Sequence, residues 1–548
     1  MAGRTLSVLF RCVSGSTATG RWRATRAALP AVLAAAVFAV AFADKAFTVD
    51  DSFFLSQARQ LLREPLNPSG FDMAWDDSFG RASRLAPTGP GMAYLLWPTA
   101  TLGGAEWVAH LSVWACLAIG ALALSALCLA WGGSVSDARL ASLMLVATPA
   151  VLGMAGTAMP DVPAMSLALV GIERLVSFTQ RGDPWRGVWG GACLGAAVLL
   201  RSHAVTLVPV AALLLAGPST WAWPPVVAAR RLWPLAVTAL VVAGVAWLTR
   251  DPETQHASLV SAPLWVHWGH IPKNLVAFFA HFLFALPLAL VWLSIRGRRA
   301  WVWLFAAGVP LAYLGLWSWN HHRWWWAAPM AALGLTAMVD VWRWAWASRD
   351  LVRTTLAMWL LAALPVCIYL HLAIKYTIIS APAVVMVVIL ATRDVSVRRR
   401  SLLRGAWVAG GLLLGIAILR ADAQLADLGR RAAAELIAPR VAAGQRVYYS
   451  GHWGFQWYAE AAGARSLISR HPRLRDGDVI VFSSSRKGRL PPRQRRLVQR
   501  LRDESGAGGR VMQHDAGAGF FSNNWGYLPW SWGAEPIDEY EVWRIVGD

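Results

Sequence analysis

The chain has 548 residues, 56% of them hydrophobic and 15% charged, with a mean hydropathy of +0.43. That is too little polar surface for a soluble globule of this size, so lipid must solvate much of the chain. A net charge of +20 would suggest nucleic acid in a soluble protein, but a polytopic membrane protein collects basic residues in its cytoplasmic loops, and nucleic acid is set aside as a partner.

The five cysteines, Cys12, Cys116, Cys128, Cys193 and Cys367, lie in the N-terminal tail or in apolar runs without CxxC spacing. They indicate neither a disulfide framework nor a zinc site.

Residues 1–26 form a basic tail (Arg4, Arg11, Arg21, Arg23, Arg26). No small-residue cleavage site follows the first apolar run, which therefore reads as a retained anchor. Apolar stretches near the length needed to cross a bilayer run at 27–44, 106–130, 138–157, 161–177, 187–200, 203–217, 232–249, 274–294, 301–318, 325–342, 354–372, 377–392 and 405–420. The expected architecture is an α-helical polytopic membrane protein of about thirteen transmembrane helices, with a small C-terminal α/β soluble domain. The pair at 187–217 is the weakest, because "VLLRSHAVT" interrupts it and puts Arg201 in a tight turn.

Basic residues set the orientation. With a cytoplasmic N-terminus, the even-numbered returns collect "RGRR" at 296–299 and "RDVSVRRRSLLR" at 393–404, leaving about 22 basic residues inside and about 10 outside. The long loop 45–105, which carries Arg84, then faces outward, as does everything after Arg420. The prevalence of Ala and Arg over Lys suggests a bacterium with a GC-rich genome, so the membrane is the bacterial inner membrane and the outer side a periplasm.

After the first span, "VDDSFFLSQARQLL" places Asp50 and Asp51 at the head of a helix. Its apolar residues share one face, which predicts a helix lying on the membrane surface. Either acid alone would serve as an N-cap. Two adjacent acids need a further reason, since the second would sit at the lipid edge. "GTAMPDVPAMSLAL" sets Asp161 at the outer start of the fourth span, where a cap is again the plain reading, with Pro163 in the first turn. Two acidic helix starts on one membrane face fit a shared site.

Further along, "SAPLWVHWGHIPKN" offers His267, His270 and Lys273. Two histidines three apart suit a metal on a helix, but no third ligand is near and Pro263 and Pro272 break the pattern. The sequence requires no cofactor and the expected metal site is none. Arg323 in "WNHHRWWWAAPMAAL", Lys375 and Tyr376 in "IKYTIISAPAVV", and Arg201 are cations and a phenol at outer span ends. Each could be a snorkelling anchor or a phosphate ligand.

The tail 421–548 changes character. "RVYYSG", "DVIVFSSS" and "EYEVWRIV" read as strands, and "RADAQLADLGRRAAAELIAP" and "PRQRRLVQRLRDE" as helices, which predicts a small outer α/β domain. "SSSRKGRLPPRQRR" reads as a solvated basic face or a contact for anionic headgroups.

The acidic pair opening an amphipathic helix in a long outer loop, "PTGPGMAYLLWP" before span two, and "MPDVPA" at span four resemble the GT-C superfamily of polyprenyl-phosphate-sugar-dependent glycosyltransferases. "GHWGFQWYAEAAGA" is similar to a segment of uncharacterised bacterial members. The relatives include the protein O-mannosyltransferases and the lipid A aminoarabinose transferases, and the thirteen-span layout looks most like the latter. Asp-Asp stands where many relatives carry Asp-Glu, and "APTGPG" where they carry a Lys/His-Pro-Pro stretch. "RWWWAAP" has the spacing of the group's Arg-Tyr-x-Leu-Pro stretch, with Trp for Tyr.

The resemblance implies a GT-C-like transmembrane domain over 27–420. It implies a catalytic base at Asp50, with Asp51 second and Asp161 beside them. Arg323, Lys375, Tyr376 and Arg201 would bind the donor phosphate, and Arg84, His267 and His270 the substrates. The partners implied are a polyprenyl-phosphate-linked sugar donor, a lipid, glycan or protein acceptor, and membrane lipids. Attack opposite the phosphate would invert the anomeric centre. The competing classes are a polytopic transporter, for which repeats and midplane polar residues are expected, and a non-catalytic envelope scaffold.

Overall fold

The computed structural model describes residues 18–75, 78–86, 88–217, 225–254, 267–295, 301–468, 474–483, 494–503 and 506–547. The basic runs 296–299 and 484–493, the tail 1–17 and Pro263 lie outside the described residues.

Each of the thirteen apolar intervals overlaps a helix, because long runs of Ala, Leu and Val in lipid can satisfy their backbone only internally. Among the described residues, seven helices are long and apolar enough to cross a membrane, nine if each of two bent pairs is one crossing. The chain is thus a multi-pass membrane protein. The expected thirteen crossings are not reached by this measure. The apolar helix Ser202–Ala216 is short, the segment Val135–Ala155 bends by 59° where Thr148 and Pro149 break it, and Trp268–Ile295 bends by 66°.

The helix Asp51–Leu61 does not lie on a membrane surface. Its apolar residues Phe53, Phe54, Leu55, Ala58 and Leu61 are buried, and so are Gln57 and Gln60 on the other side. The Gln57 amide donates to the Ser69 hydroxyl (2.9 Å) and that of Gln60 to the Gly70 carbonyl (3.2 Å). The loop that follows folds back over these two glutamines and accepts from both amides, so protein replaces water there. Within that loop a hairpin pairs Asp72–Trp75 with Ser78–Arg81.

The C-terminal region is built on a five-stranded sheet in the order Arg465–Ser466, Val447–Ser450, Val479–Ser483, Glu539–Ile545, Arg495–Arg502. The first three strands run parallel and the last two pairings are antiparallel. The three anticipated strands are present. "RRLVQRLR", expected as a helix, is instead the edge strand Arg495–Arg502. There Arg500 reaches Glu539 (3.3 Å) and Glu541 (3.1 Å) across the sheet, pairings that an isolated helix could not make.

The anticipated helix after residue 420 is the far end of one 36-residue helix, Val397–Ala432. Its residues Leu428 and Ala432 join Tyr449, Phe455, Val481 and Tyr540 in the domain core. The last membrane helix is therefore also part of the domain's helical layer. The domain is seated on the outer loop by close backbone approach: a Cβ on Gly454 would fall 1.9 Å from the Phe47 carbonyl oxygen. The Phe47 N–H donates to the Tyr458 hydroxyl (2.8 Å), which donates to Glu106 (3.0 Å).

Candidate active site

Four charged groups meet at the end of the helical bundle that the C-terminal domain covers. Asp50 precedes the Asp51–Leu61 helix, and Asp161 opens the helix Asp161–Arg181. Arg201 sits in extended backbone (φ −143°, ψ 108°) between the helix Pro184–Leu200 and a 3-10 turn, and Lys375 lies in the short helix Ile374–Thr377. Neither acid caps its helix through its side chain.

The ammonium of Lys375 donates to Asp50 Oδ2. The guanidinium of Arg201 donates through Nε to Asp161 Oδ1 at 3.0 Å. The Tyr376 ring lies under both cations, 5.0 Å from the Arg201 guanidinium carbon and 5.6 Å from Lys375 Nζ.

The backbone holds these groups deliberately. Val49, next to Asp50, has φ +35°, a left-handed conformation that a β-branched residue rarely adopts. Such strain survives where the surroundings over-determine it. Here Asp51 does so. Its Oδ2 accepts from the Thr48 N–H and its Oδ1 from the Ala158 N–H, both at 2.9 Å, which ties the Asp50 turn to the segment leading into Asp161. The Thr48 hydroxyl donates to Asp422 (3.1 Å), itself paired with Lys45 at 2.8 Å. On the Arg201 side, the Leu199 carbonyl oxygen would be 1.9 Å from a Cβ on Gly89, so "PTGPG" packs directly on the chain two residues before Arg201. On the Lys375 side, the Ile374 N–H donates to the Phe520 carbonyl (3.2 Å) and the Leu372 N–H to Asn523 Oδ1 (3.0 Å) of the C-terminal domain.

The electrostatics separate the two neighbouring acids. Burial raises the Asp50 carboxyl, but the Lys375 ammonium and its hydrogen bond, with Arg201 behind, outweigh it and hold Asp50 below its ordinary value. Burial pushes Asp51 up to about 7 despite Lys45 and the Thr48 N–H. The Asp50 side chain is 26% exposed and the Lys375 side chain 3%, so the ion pair is reached from the carboxylate side. Arg201 Nη2 and Asp161 Oδ2 are buried without a hydrogen-bond partner among the described residues. A buried guanidinium N–H left without an acceptor favours the arrival of an oxyanion.

Of the residues anticipated from sequence, the fold brings Asp50, Asp161, Lys375, Tyr376 and Arg201 together. Asp51 is adjacent but turned into the structural network with Lys45 and Asp422. Arg323 is elsewhere: its guanidinium contacts His514 and lies 3.5 Å from Asp515 of the C-terminal domain. His270 binds the Leu370 carbonyl and packs 4.0 Å from the Trp319 ring, with His267 at 5.0 Å. Arg84 is exposed on the short helix Ala82–Leu85.

Sequence reasoning missed His203, Tyr369 and His371, whose rings gather round Tyr376 at 5.6, 6.2 and 6.1 Å. The signal available was polar aromatic residues embedded in otherwise apolar stretches, "RSHAVT" and "IYLHLAIKY".

No family model matches the chain, and no curated protein does. Among solved structures the chain is similar to ArnT. The crystal structure of ArnT from Cupriavidus metallidurans bound to undecaprenyl phosphate is 15% identical, with 84% of this chain and 94% of that one covered and a TM-score of 0.45. The apo form of the same protein is 16% identical over 83% and 93%, also with a TM-score of 0.45.

Proposed function

We propose that this chain is a membrane glycosyltransferase that moves a sugar from a polyprenyl-phosphate carrier to an acceptor hydroxyl. The observation that carries the reading is the facing pair of ion pairs, Asp50 with Lys375 and Asp161 with Arg201, at one end of the bundle. It joins the acidic sequence motif to two cations contributed from distant segments.

The chemistry is consistent with that set. The acceptor O–H loses its proton to Asp50 as the oxygen attacks the anomeric carbon, and the carbon–oxygen bond to the carrier phosphate breaks with its electron pair going to phosphate. Lys375 and the unpartnered N–H of Arg201 hold the charge that develops there. Phosphate arrival also competes for Lys375 and releases Asp50 to act as base. Asp161 keeps Arg201 oriented. A single displacement of this kind inverts the anomeric centre. The site faces the periplasm of the bacterial inner membrane in this reading, with the N-terminus cytoplasmic. A transporter would instead be expected to place its polar groups near the bilayer midplane.

The test is to reconstitute the protein in nanodiscs with synthetic polyprenyl-phosphate sugars and a membrane-envelope extract, and to follow release of free polyprenyl phosphate. Release that depends on extract is expected, and mass spectrometry of the extract then names the acceptor. No release from any of a panel of pentose and hexose donors would refute the reading.

A further inference from the structure

A cavity of about 370 Å³ lies between the C-terminal domain and the last membrane helix, outside the ion-pair cluster. It falls at the lower end of the range of roughly 300–1,000 Å³ typical of small-molecule sites. Trp453 and Trp525 are among the residues that line it, and both are half-buried. Asp515, Glu535, Asp538 and Glu539 border it together with Arg502 and His514; Asp515 is paired with Arg323 (3.5 Å) and Glu539 with Arg500 (3.3 Å).

Two features show that this wall is built. Trp453 has φ +70° and ψ −144°, a conformation disfavoured for any residue with a side chain, and the adjoining Gly454 locks it by close approach to Phe47. Asp538 is buried and fixed by the Ser483 hydroxyl (3.1 Å) and the Glu539 N–H (2.8 Å).

The cavity also touches the supports of the catalytic cluster. Leu425 in its wall is one helical turn beyond Asp422, which binds Thr48, two residues before Asp50. Trp525 follows Asn523 and Asn524, which bind the Leu372 N–H and Lys273.

We infer that this cavity is a saccharide-binding site, and, given the transferase reading above, that it docks a glycan acceptor. Aromatic faces pack against the apolar C–H faces of a sugar ring, and carboxylates accept hydrogen bonds from its hydroxyls. Glu535, which takes no part in the ion pairs of Asp515 and Glu539 and lies at an exposed position, favours an amino sugar over a neutral one.

The test is a saturation-transfer NMR titration of the full chain in nanodiscs with cellobiose and a glucosamine disaccharide, in the absence of any donor. Both should bind, the amino disaccharide the more tightly. Trp525→Ala should weaken both by roughly tenfold, the loss of one aromatic stacking contact. Glu535→Gln, at an exposed position, should weaken the amino disaccharide more than cellobiose, which keeps the inference falsifiable if Trp525→Ala fails to fold. No transfer to any saccharide, or equal affinities in wild type and both variants, would overturn the inference. So would transfer to a basic peptide but to no sugar, which would assign the cavity to a protein segment. Donor turnover without saccharide binding would sink this inference alone, and saccharide binding without donor turnover would sink only the transferase reading.

Discussion

Lys375 and Asp50 form an ion pair across 325 positions of sequence, with the lysine buried and the carboxylate partly open. In the proposed mechanism this pair keeps Asp50 ionised and masked until the donor phosphate draws the ammonium away. Asp50→Asn retains size and one acceptor oxygen but removes the base. Turnover of a polyprenyl-phosphate sugar should fall by at least about a hundredfold while the protein still elutes as a folded species. Full activity in Asp50→Asn would leave the carboxylate as no more than a partner for the lysine.

The cations should divide by location. Lys375→Ala and Arg201→Ala should each weaken binding of a synthetic polyprenyl-phosphate sugar, and Arg201→Lys should recover only part, because a point charge cannot reproduce a fork that serves Asp161 and phosphate together. Arg323→Ala should leave donor affinity nearly unchanged, since that guanidinium is engaged by Asp515 and His514. A titration in nanodiscs that found the largest loss in Arg323→Ala would move the phosphate site to the mouth of the helix Ala327–Ser348.

Asp51 makes stability depend on pH. Its carboxyl is raised in the folded protein from 3.8 to about 7, so the folded state binds more protons than the unfolded one between those values. Stability from this group is greatest at acid pH and declines as pH rises through the window, with the full cost present above about 7. Thermal melts of the wild type and Asp51→Asn should therefore converge near pH 4 and diverge toward pH 8, with the variant the less pH-sensitive. Parallel curves would show that Asp51 does not titrate there.

Gly454→Ala should unseat the C-terminal domain. The new methyl would meet the Phe47 carbonyl at 1.9 Å, and backbone cannot yield as a side chain would. A cost of about 1–3 kcal/mol is expected, together with faster proteolysis of the domain and loss of turnover, since Ile374 and Leu372 are braced by the same domain. Unchanged proteolysis would mean that the two parts yield independently.

The proposed orientation is checked by labelling. In a variant freed of the five native cysteines, a cysteine at Ser78 should react with an impermeant thiol reagent from the periplasmic side, and one at Ser401 should not. Both positions are exposed. Reaction at Ser401 alone would invert the arrangement.

What the sequence determined by itself was whatever has a local, periodic cause. Runs of Ala, Leu and Val long enough to cross lipid appear as helices at the anticipated intervals. The strands Val447–Ser450, Val479–Ser483 and Glu539–Ile545 follow from β-branched and aromatic alternation. Asp50 and Asp161 stood out because an ionised group at a membrane edge needs a reason.

Tertiary structure alone decided what those acids face. Lys375 and Arg201 look like Arg323 in sequence, each a cation at a span end, and only helix packing distinguishes them. Packing also turned Asp51 inward to the Thr48 and Ala158 N–H groups, buried Gln57 and Gln60 of the Asp51–Leu61 helix, and made an edge strand of "RRLVQRLR" by supplying Glu539 and Glu541 opposite. Partners tens to hundreds of residues apart impose no spacing on the chain between them. The charge of a residue is therefore written in the sequence, whereas the charge that answers it is set by which helix ends meet.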